Sequence, residues 1–491
     1  MLVAGVDSST QSTKVVLCRA QDGAIVGAGQ APHPAGTECD PAAWWAALVQ
    51  AGAGLLERAA AIGLAGQQHA MIALDADGQV IRPALLWNDL RSAAAAAELV
   101  AERGGPRWWA GQTGSVPTAS FTITKLRWLA SHEPANAART AAVLLPHDWL
   151  TWQLRLAGDA RGAAGQPGSA QPHGALPRSD RAAPAAAAVF AATTDRGEAS
   201  GTGYFDPAAG AWLPGLAAAA LGHELALPRV ARPAEIAGET SWGAAISAGT
   251  GDNMAAALGL GLEPGDVAVS IGTSGTAFAV SPVPAADPSG AVAGFADATG
   301  RFLPLVCTVN AARVLTAAAA LAGTDLAGLD ALALAARPGA DGITLLPYLD
   351  GERTPDRPGA TGVIRGLTTA NASRENLARA AVESLLASLA HAAELLSAQG
   401  VPRRRIMLIG GASRSTAVRA LAAGIFGAPV FVPEPAEFVA LGAARQAAWA
   451  LSGAAQPPMW PPARPAVQYT GPAQPQIRER HAALRDDTAA W

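Results

Sequence analysis

Short apolar runs separated by polar turns open the chain and predict its first sheet. Leu2–Val6 and Lys14–Cys18 are apolar runs of strand length, and the residues between them are polar. A second turn at Asp22 and Gly23 leads into another apolar run, Ala24–Ala28. This pattern predicts a meander of three antiparallel strands whose first hairpin has a hydroxyl-rich tip.

A second hairpin of the same kind is predicted near residue 270. The sequence VAVSIGTSGTAFAV indicates a strand, a turn at Gly272, Thr273 and Ser274, and another strand. Backbone N–H groups and hydroxyls at such a tip suit a phosphate or another anion. Two hairpins of this kind favour two related domains that hold a phosphate chain from both sides of a cleft. Asp7, at the first tip, would then hold a metal through water.

Longer segments show helical signals. Asp40 can cap a helix that starts at Pro41 and runs to about residue 60. Ser373 can cap a second helix, in which apolar residues recur at helical spacing from Leu377 to Leu396.

Polar clusters follow two predicted strands. The apolar run Ala61–Gly66 ends in Gln67, Gln68 and His69, and a later run ends in the sequence NDLR, which includes Arg91. Open α/β sheets place ligands at the carboxyl ends of their strands, so these side chains are candidates for substrate binding. A lone histidine is more often structural, and the sequence leaves both roles of His69 open.

Asp252 and Asn253 follow Gly249-Thr250-Gly251 and precede an Ala/Leu run that predicts a helix. The helix dipole and the unpaired N–H groups of the first turn favour an ionised carboxylate at this position. Such a carboxylate is a candidate base for a substrate hydroxyl. An ordinary capping aspartate would give the same local pattern.

Two glycines follow a further predicted strand. Gly410 and Gly411 come directly after Arg405–Ile409, and the helix after them is expected to begin near Arg414. Residues without side chains let a ribose or a flat ring approach the backbone. This pair is a weak signal without its context.

Composition limits the classes of function. A net charge of −4 with 15% charged residues gives no electrostatic case for nucleic acid or an anionic membrane surface. The three cysteines are widely spaced, which predicts incidental thiols in a reducing compartment. No signal peptide is apparent at the N-terminus, so a cytoplasmic location is expected.

The chain length of 491 residues predicts two domains. The expected division is 1–242 and 243–452, followed by a Pro-rich connector and terminal helix at 453–491. Residues 159–192 are rich in Gly, Ala, Pro and Ser, which predicts a low-complexity surface insertion.

Several of these stretches together resemble the FGGY family of carbohydrate kinases. The most specific are AGVDSSTQSTKVVL, GLAGQQHAMIALDADG, RPALLWNDLR, GTGDNMAAALG, SIGTSG and LIGGASRS. The resemblance implies an α/β fold of two actin-like (ribonuclease H-like) domains that face each other across a catalytic cleft. It also implies ATP as phosphate donor, with Mg²⁺ as cofactor.

The resemblance assigns roles residue by residue. Asp252 matches the catalytic base, and Asp7 matches the acid of the first phosphate hairpin, where it would hold the metal through water. The positions that match sugar contacts are Gln68, His69, Asp252 and Asn253, with Arg91 beside them. The positions that match nucleotide contacts are Thr10, Gly272, Thr273 and Ser274 for the phosphates, and Gly410 and Gly411 for the adenosine.

Within the family, GQQH, WNDLR and GTGDN are most similar to members that phosphorylate D-xylulose at its 5-hydroxyl. A ribulose, gluconate or related ketose kinase is the main alternative. A non-catalytic regulator on the same fold would be expected to lack Asp252 or to add a DNA-binding element, and neither is seen. The sequence leaves a homodimer open.

Overall fold

The computed structural model describes residues 1–162, 191–462 and 464–490. The predicted insertion at 159–192 therefore lies largely outside the described residues; its first four residues continue the helix Pro146–Gly162. The described chain forms two seven-stranded sheets with helices packed on them.

The first sheet contains the predicted meander. Across the sheet, its strands are Ile236–Glu239, Ala245–Ser247, Ala61–Gly66, Leu2–Ser8, Ser12–Arg19 and Ile25–Pro32, with Thr250–Gly251 paired to the end of Ala61–Gly66. The meander is antiparallel, whereas Leu2–Ser8 and Ala61–Gly66 are parallel. The interior of this sheet is almost wholly apolar, as the runs of Val, Leu and Ile predict.

The second sheet repeats this arrangement. Its strands are, in order, Ala293–Ala296, Phe302–Thr308, Gly275–Ala279, Asp266–Ile271, Arg405–Ile409, Val430–Val432 and Val467–Tyr469. Asp266–Ile271 pairs antiparallel with its hairpin partner and parallel with Arg405–Ile409. The predicted duplication of the hairpin is therefore confirmed, and the structure adds a parallel strand beside each copy.

Short strand pairs and helices complete the described fold. The pairs are Glu38–Cys39 with Ala84–Leu85, Ile72–Leu74 with Ala142–Leu144, Thr193–Thr194 with Arg229–Val230, Phe205–Asp206 with Ala211–Trp212, and Thr344–Leu346 with Val363–Arg365. The α-helices are Pro41–Gly52, Ala93–Glu102, Pro106–Thr113, Thr122–His132, Pro134–Arg139, Pro146–Gly162, Arg196–Ser200, Pro214–Leu221, Asp252–Leu260, Ala312–Leu321, Leu326–Ala335, Arg374–Ala398, Thr416–Phe426, Phe438–Ser452 and Pro475–Asp487. No single helix among them is long and apolar enough to cross a membrane, and the one pair that reaches the length together, Ala312–Leu321 and Leu326–Ala335, is bent by 82°.

The predicted helix caps are present. The Asp40 side chain accepts a hydrogen bond from the Ala42 N–H, but the helix ends at Gly52, earlier than expected. The Ser373 side chain accepts from the Asn376 N–H, and its 25-residue helix buries Leu385, Leu389 and Leu396 completely in the second core.

Glycines let the helix Phe438–Ser452 lie directly on the first sheet. A methyl group added at Gly5 would come within 1.8 Å of the Ala440 carbonyl oxygen. One added at Gly442 would come within 1.8 Å of the Ala255 carbonyl oxygen, in the helix that begins at Asp252. Backbone therefore packs on backbone, and this fixes the Asp252 helix against the sheet.

The division at 242 and 452 stays a prediction, and the strand pairing bears on it. Ala245–Ser247 and Thr250–Gly251 lie beyond 242, yet both pair with Ala61–Gly66 of the first sheet. Val467–Tyr469 lies beyond 452, yet it completes the second sheet beside Val430–Val432. These pairings favour a first boundary after residue 251 and a second domain that includes the C-terminal segment.

Candidate active site

Three polar segments meet at one end of the first sheet because their strands are parallel. In the strand register, Asp7 and Thr250 both lie opposite Ala65, on its two sides. The chain then continues from Ala65 through Gly66 to Gln68, and from Thr250 through Gly251 to Asp252. The structure thus brings Asp7, Gln68, Asp252 and Asn253 to one end of the sheet, and His69 follows Gln68 in the chain.

Asp252 is the first residue of its helix, and Asn253 orients its carboxylate. The Asn253 backbone N–H and side-chain Nδ2 each donate to Asp252 Oδ1 at 2.7 Å. Asn253 Nδ2 also lies 3.3 Å from Gln68 Oε1. Within the described residues, nothing donates a hydrogen bond to Asp252 Oδ2, so this oxygen can accept one from a substrate hydroxyl.

The protonation of Asp252 differs from the sequence-based expectation. Burial raises its pKa to about 7, and the neighbouring Asp7 carboxylate adds to the rise. The helix N-terminus was expected to keep it ionised, but desolvation and a like charge outweigh the dipole here. A carboxyl group with a pKa near neutrality is a stronger base than an ordinary aspartate.

Asp7 is buried, and burial raises its pKa to about 6, although the Ser9 hydroxyl and Lys14 favour its ionised form. A divalent cation would relieve the repulsion between Asp7 and Asp252. Across residues 1–162, 191–462 and 464–490, no group of three or more His, Cys, Asp or Glu side chains forms a metal site by itself. The chemistry of the Asp7 and Asp252 carboxylates fits Mg²⁺, which usually takes one or two carboxylates and completes its shell with water and phosphate.

His69, next to Gln68 in the chain, has a constrained geometry. Its φ of +70° is in the left-handed region, and its Nδ1 donates to the Gly201 carbonyl at 2.6 Å. Phe121 and Phe295 flank the ring at 4.7 and 5.7 Å between centroids. Burial lowers its pKa to about 3, so the imidazole is neutral. With the proton on Nδ1, Nε2 is left as an acceptor for a sugar hydroxyl.

Arg91 has protein partners that the sequence did not reveal. Its guanidinium pairs with Asp89 at 2.8 Å and with Glu38 at 2.6 Å. It also lies over the ring of Trp128, 5.0 Å from the centroid. Its sugar contact stays a prediction, and these contacts give it a role in fixing the turn after residue 88.

The two hairpin tips differ in how their hydroxyls are used. Thr10 Oγ1 accepts a hydrogen bond from Trp87 Nε1 at 2.8 Å. At the second tip, the Gly272 N–H bonds the Ser274 carbonyl at 3.1 Å, which closes the turn. The hydroxyls of Thr273 and Ser274 have no partner among the described side chains and backbone groups. They are therefore available to a phosphate.

Gly410 lies against the base of the second tip. Its φ is +89°, and a methyl group there would come within 2.7 Å of the Ile271 backbone. Gly411 faces open space, with nothing within 4 Å of an added methyl group. The structure therefore brings the predicted adenosine and phosphate segments together. The segment after them is a 3₁₀ turn, Gly411–Arg414, and the α-helix begins at Thr416.

A buried polar cluster beneath the Asp252 turn was missed from the sequence. Thr250 Oγ1 donates to Asp195 Oδ2 at 2.8 Å, and the Glu198 carboxyl lies 2.8 Å from where a Gly251 Cβ would be. Burial raises the pKa of Glu198 well above its usual value, and Asp195 and Asp252 add to the rise. This environment favours the protonated form of Glu198 more than an exposed site would. The acids Asp195 and Glu198 in the sequence TDRGEASGTGYFD were the signal that could have indicated this cluster.

Comparison with known proteins shows the family of the chain. Residues 2–159 match the N-terminal domain and residues 267–451 the C-terminal domain of the FGGY family of carbohydrate kinases. The xylulose kinases of Streptomyces coelicolor and Streptomyces rubiginosus are 45% and 44% identical to this chain, with 92% of this chain and 88% of each relative covered. The crystal structure of xylulose kinase from Bifidobacterium adolescentis has a TM-score of 0.87 at 42% identity, with 99% of both chains covered.

The chain belongs to the FGGY family of carbohydrate kinases. The predicted fold of two actin-like domains is confirmed by these structural neighbours, and the chain is a sugar kinase. Membership of the family implies a sugar and ATP as its small-molecule partners.

Proposed function

We propose that this chain transfers the γ-phosphoryl group of ATP to the 5-hydroxyl of D-xylulose. The observation that supports it most strongly is Asp252, whose Oδ2 is left free beside Asp7 and the Gln68–His69 segment. Among sugar kinases, the curated relatives at 44 and 45% identity are xylulose kinases, which favours this ketose.

In the proposed mechanism, Asp252 Oδ2 takes the proton from the 5-hydroxyl while that oxygen bonds to the γ-phosphorus. The bond from the γ-phosphorus to the bridging oxygen breaks, which releases ADP. Asn253 holds Asp252 Oδ1, so the other oxygen keeps its direction. Because phosphoryl transfer has a loose transition state, alignment and charge neutralisation contribute most of the catalysis.

The remaining contacts divide between the sugar and the nucleotide. His69 Nε2 accepts a hydrogen bond from one sugar hydroxyl, and Gln68 Nε2, which has no partner in the described structure, donates to another oxygen. Thr10, Thr273 and Ser274 bind the phosphates, and Gly410 with Gly411 lies against the adenosine. Mg²⁺, held by Asp7 through water, would neutralise phosphate charge.

A coupled ADP-release assay over a panel of ketoses, alditols and aldonates tests the substrate. D-Xylulose is expected to give the highest kcat/KM, with a product phosphorylated at the 5-oxygen. A higher kcat/KM for D-ribulose, glycerol or gluconate would refute the named sugar but not the kinase activity.

The setting of the reaction is also a proposal. A cytoplasmic location fits an enzyme that consumes ATP, and three free cysteines fit a reducing compartment. The homodimer stays a prediction, which light scattering after gel filtration would test.

A further inference from the structure

Lysine is nearly absent from this chain. Of its 35 basic residues, only Lys14 and Lys125 are lysines, and the others are arginines. Lys125 is also completely buried, with a relative exposure of 0%. A chain that uses arginine almost everywhere thus has a lysine at this interior position, and the lysine ammonium is a compact charge, whereas the arginine guanidinium is a broad planar group.

Lys125 donates its hydrogen bonds to backbone carbonyls. Its Nζ lies 2.8 Å from the His69 carbonyl oxygen and 2.6 Å from that of Ser120. Thr122, in the same helical turn, donates its hydroxyl to the same His69 oxygen at 3.1 Å. Two side chains of one helix therefore hold a single carbonyl group at the end of the strand Ala61–Gly66.

That carbonyl belongs to a residue with an unfavourable backbone conformation. Outside glycine, only His69, Ala340 and Asp341 have a positive φ in the described chain. Residues held in this region persist when their surroundings fix them, and they occur often at functional sites. At His69 this conformation directs Nδ1 to the Gly201 carbonyl and leaves Nε2 as the acceptor.

Stability alone does not account for a lysine here. Lys125 lies in the first turn of the helix Thr122–His132, where the helix dipole disfavours a cation. No carboxylate lies within ion-pair distance of its Nζ in the described part of the chain. Burial lowers its pKa to about 7, with Asp89 partly opposing this. The buried amine is therefore costly, and its contacts point to a role at His69.

We propose that Lys125, together with Thr122, is a positioning residue for sugar recognition. By holding the His69 carbonyl, these two side chains fix the left-handed backbone and so aim the imidazole Nε2 at a hydroxyl of the sugar. Neither side chain is assigned a contact with substrate. The inference rests on the proposed function, in which His69 binds the sugar.

The sharpest test compares isosteric substitutions of two threonines, Thr122 and Thr124, which lie two residues apart. Thr122→Val removes a donor to the His69 carbonyl. Thr124→Val is the matched control, because Thr124 is equally buried but donates to the Phe121 carbonyl at 2.8 Å and does not contact His69. We expect Thr122→Val to raise the sugar KM about threefold to tenfold, the usual effect of one lost hydrogen bond. KM for ATP and kcat should change less than twofold.

Lys125→Met removes the second donor and should raise the sugar KM by more than about tenfold, because it also leaves the Ser120 carbonyl unpaired. Equal effects of Thr122→Val and Thr124→Val on the sugar KM would overturn the proposal. So would a Lys125→Met variant that folds and keeps the wild-type sugar KM. If Lys125→Met does not fold, the comparison of Thr122→Val with Thr124→Val still tests the proposal.

His69→Ala separates this inference from the proposed function. If His69→Ala raises the sugar KM but Thr122→Val leaves it unchanged, only the positioning role fails. If His69→Ala leaves the sugar KM unchanged, the assignment of His69 to the sugar fails, and the inference fails with it.

The scarcity of lysine permits a direct spectroscopic readout. Protein labelled with ¹³C at lysine Cε has only two lysine side-chain signals, and Lys14→Arg assigns them. Saturation with D-xylulose is expected to shift the Lys125 signal in the wild type, and this shift should be lost in His69→Ala. A Lys125 signal that does not respond to D-xylulose would contradict the proposed link between Lys125 and sugar binding at His69.

Discussion

The two sheets share one strand order but present different chemistry at corresponding strand ends. In the first sheet, Leu2–Ser8 and Ala61–Gly66 end in crowded polar side chains, among them Asp7 and Gln68. In the second, the corresponding strands end in glycine, at Gly272 and Gly410. The first sheet thus offers carboxylates and amides, and the second offers backbone and two free hydroxyls.

This difference shows how one duplicated framework can divide a reaction between its halves. Proton transfer and sugar recognition need specific side-chain atoms at fixed places. A phosphate chain can be held by N–H groups and hydroxyls at an open turn. Substitutions that remove side-chain groups should therefore impair the site at the first sheet most. Substitutions that add a side chain at a glycine should impair the site at the second sheet most.

The largest effect is expected at the first sheet, from Asp252→Asn. Loss of a general base lowers kcat by about 10²–10⁴-fold, and the amide also disturbs the hydrogen bonds from Asn253. The melting temperature should stay the same or rise, because a half-buried carboxyl repelled by Asp7 is removed. Steady-state kinetics and calorimetry test both points, and turnover within tenfold of the wild type would eliminate Asp252 as the base.

The pH dependence of kcat/KM in the wild-type enzyme should reveal the titration of Asp252. Because Asp252 must be ionised and its pKa is raised to about 7, kcat/KM for the sugar should fall as the pH drops below 7. The fall should approach about tenfold per pH unit, and it should steepen near pH 6, where Asp7 is protonated as well.

Asp7→Asn provides the control for this profile. It removes the charge that helps to raise the pKa of Asp252, so the residual activity should persist to lower pH. A profile that is flat between pH 5.5 and 8, or one that Asp7→Asn does not move, would contradict the coupling of the two acids.

At the second sheet, one added methyl group is expected to weaken ATP binding. Gly410→Ala forces a side chain into the Ile271 backbone at a φ of +89°, so the tip beside it must shift. We expect KM for ATP to rise about tenfold, equivalent to 1.4 kcal/mol, and KM for the sugar to change little. Gly411→Ala is the matched control, since its methyl group meets open space. Equal ATP KM values for the two variants would place the nucleotide elsewhere.

The smallest effects are expected from the tip hydroxyls. Thr273→Val and Ser274→Ala each remove one free donor, and backbone N–H groups remain. Each should raise KM for ATP about threefold, typical of one hydrogen bond at an open site. The sugar KM is the internal reference, and a larger change there than for ATP would reverse the assignment of the two sheets.

Local patterns were sufficient to predict much of this fold. The meander, the Asp252 helix and the Ser373 cap depend on residues within a few positions of each other, so the sequence shows them directly. The strand Ile72–Leu74 is followed by an Asp77-Gly78 turn and Val80, a pattern that by itself predicts a local hairpin. Only an isolated bridge joins it to Val80, and its ladder is with Ala142–Leu144 instead.

Contacts between distant segments were not predicted. Lys125 reaches the His69 carbonyl across 56 positions, and Arg91 pairs with Glu38 from another segment. The pKa of Asp252 was predicted in the wrong direction, because burial and the charge of Asp7 are properties of the assembled sheet. Residue type and spacing led to the proposal of which groups react, whereas the folded chain determines their protonation.

The glycines in and around the helix Phe438–Ser452 limit which substitutions this gene can accept. Any glycine codon becomes an alanine codon by one base change, and in an alanine-rich protein that exchange is usually harmless. At Gly5, Gly63, Gly259 and Gly442 it is not, because each added methyl group would come within about 2 Å of a carbonyl oxygen. A library of random single-base variants selected for growth on the sugar should lack alanine at these four codons and retain it at Gly111 and Gly215, where the methyl group meets nothing and φ is not in the left-handed region.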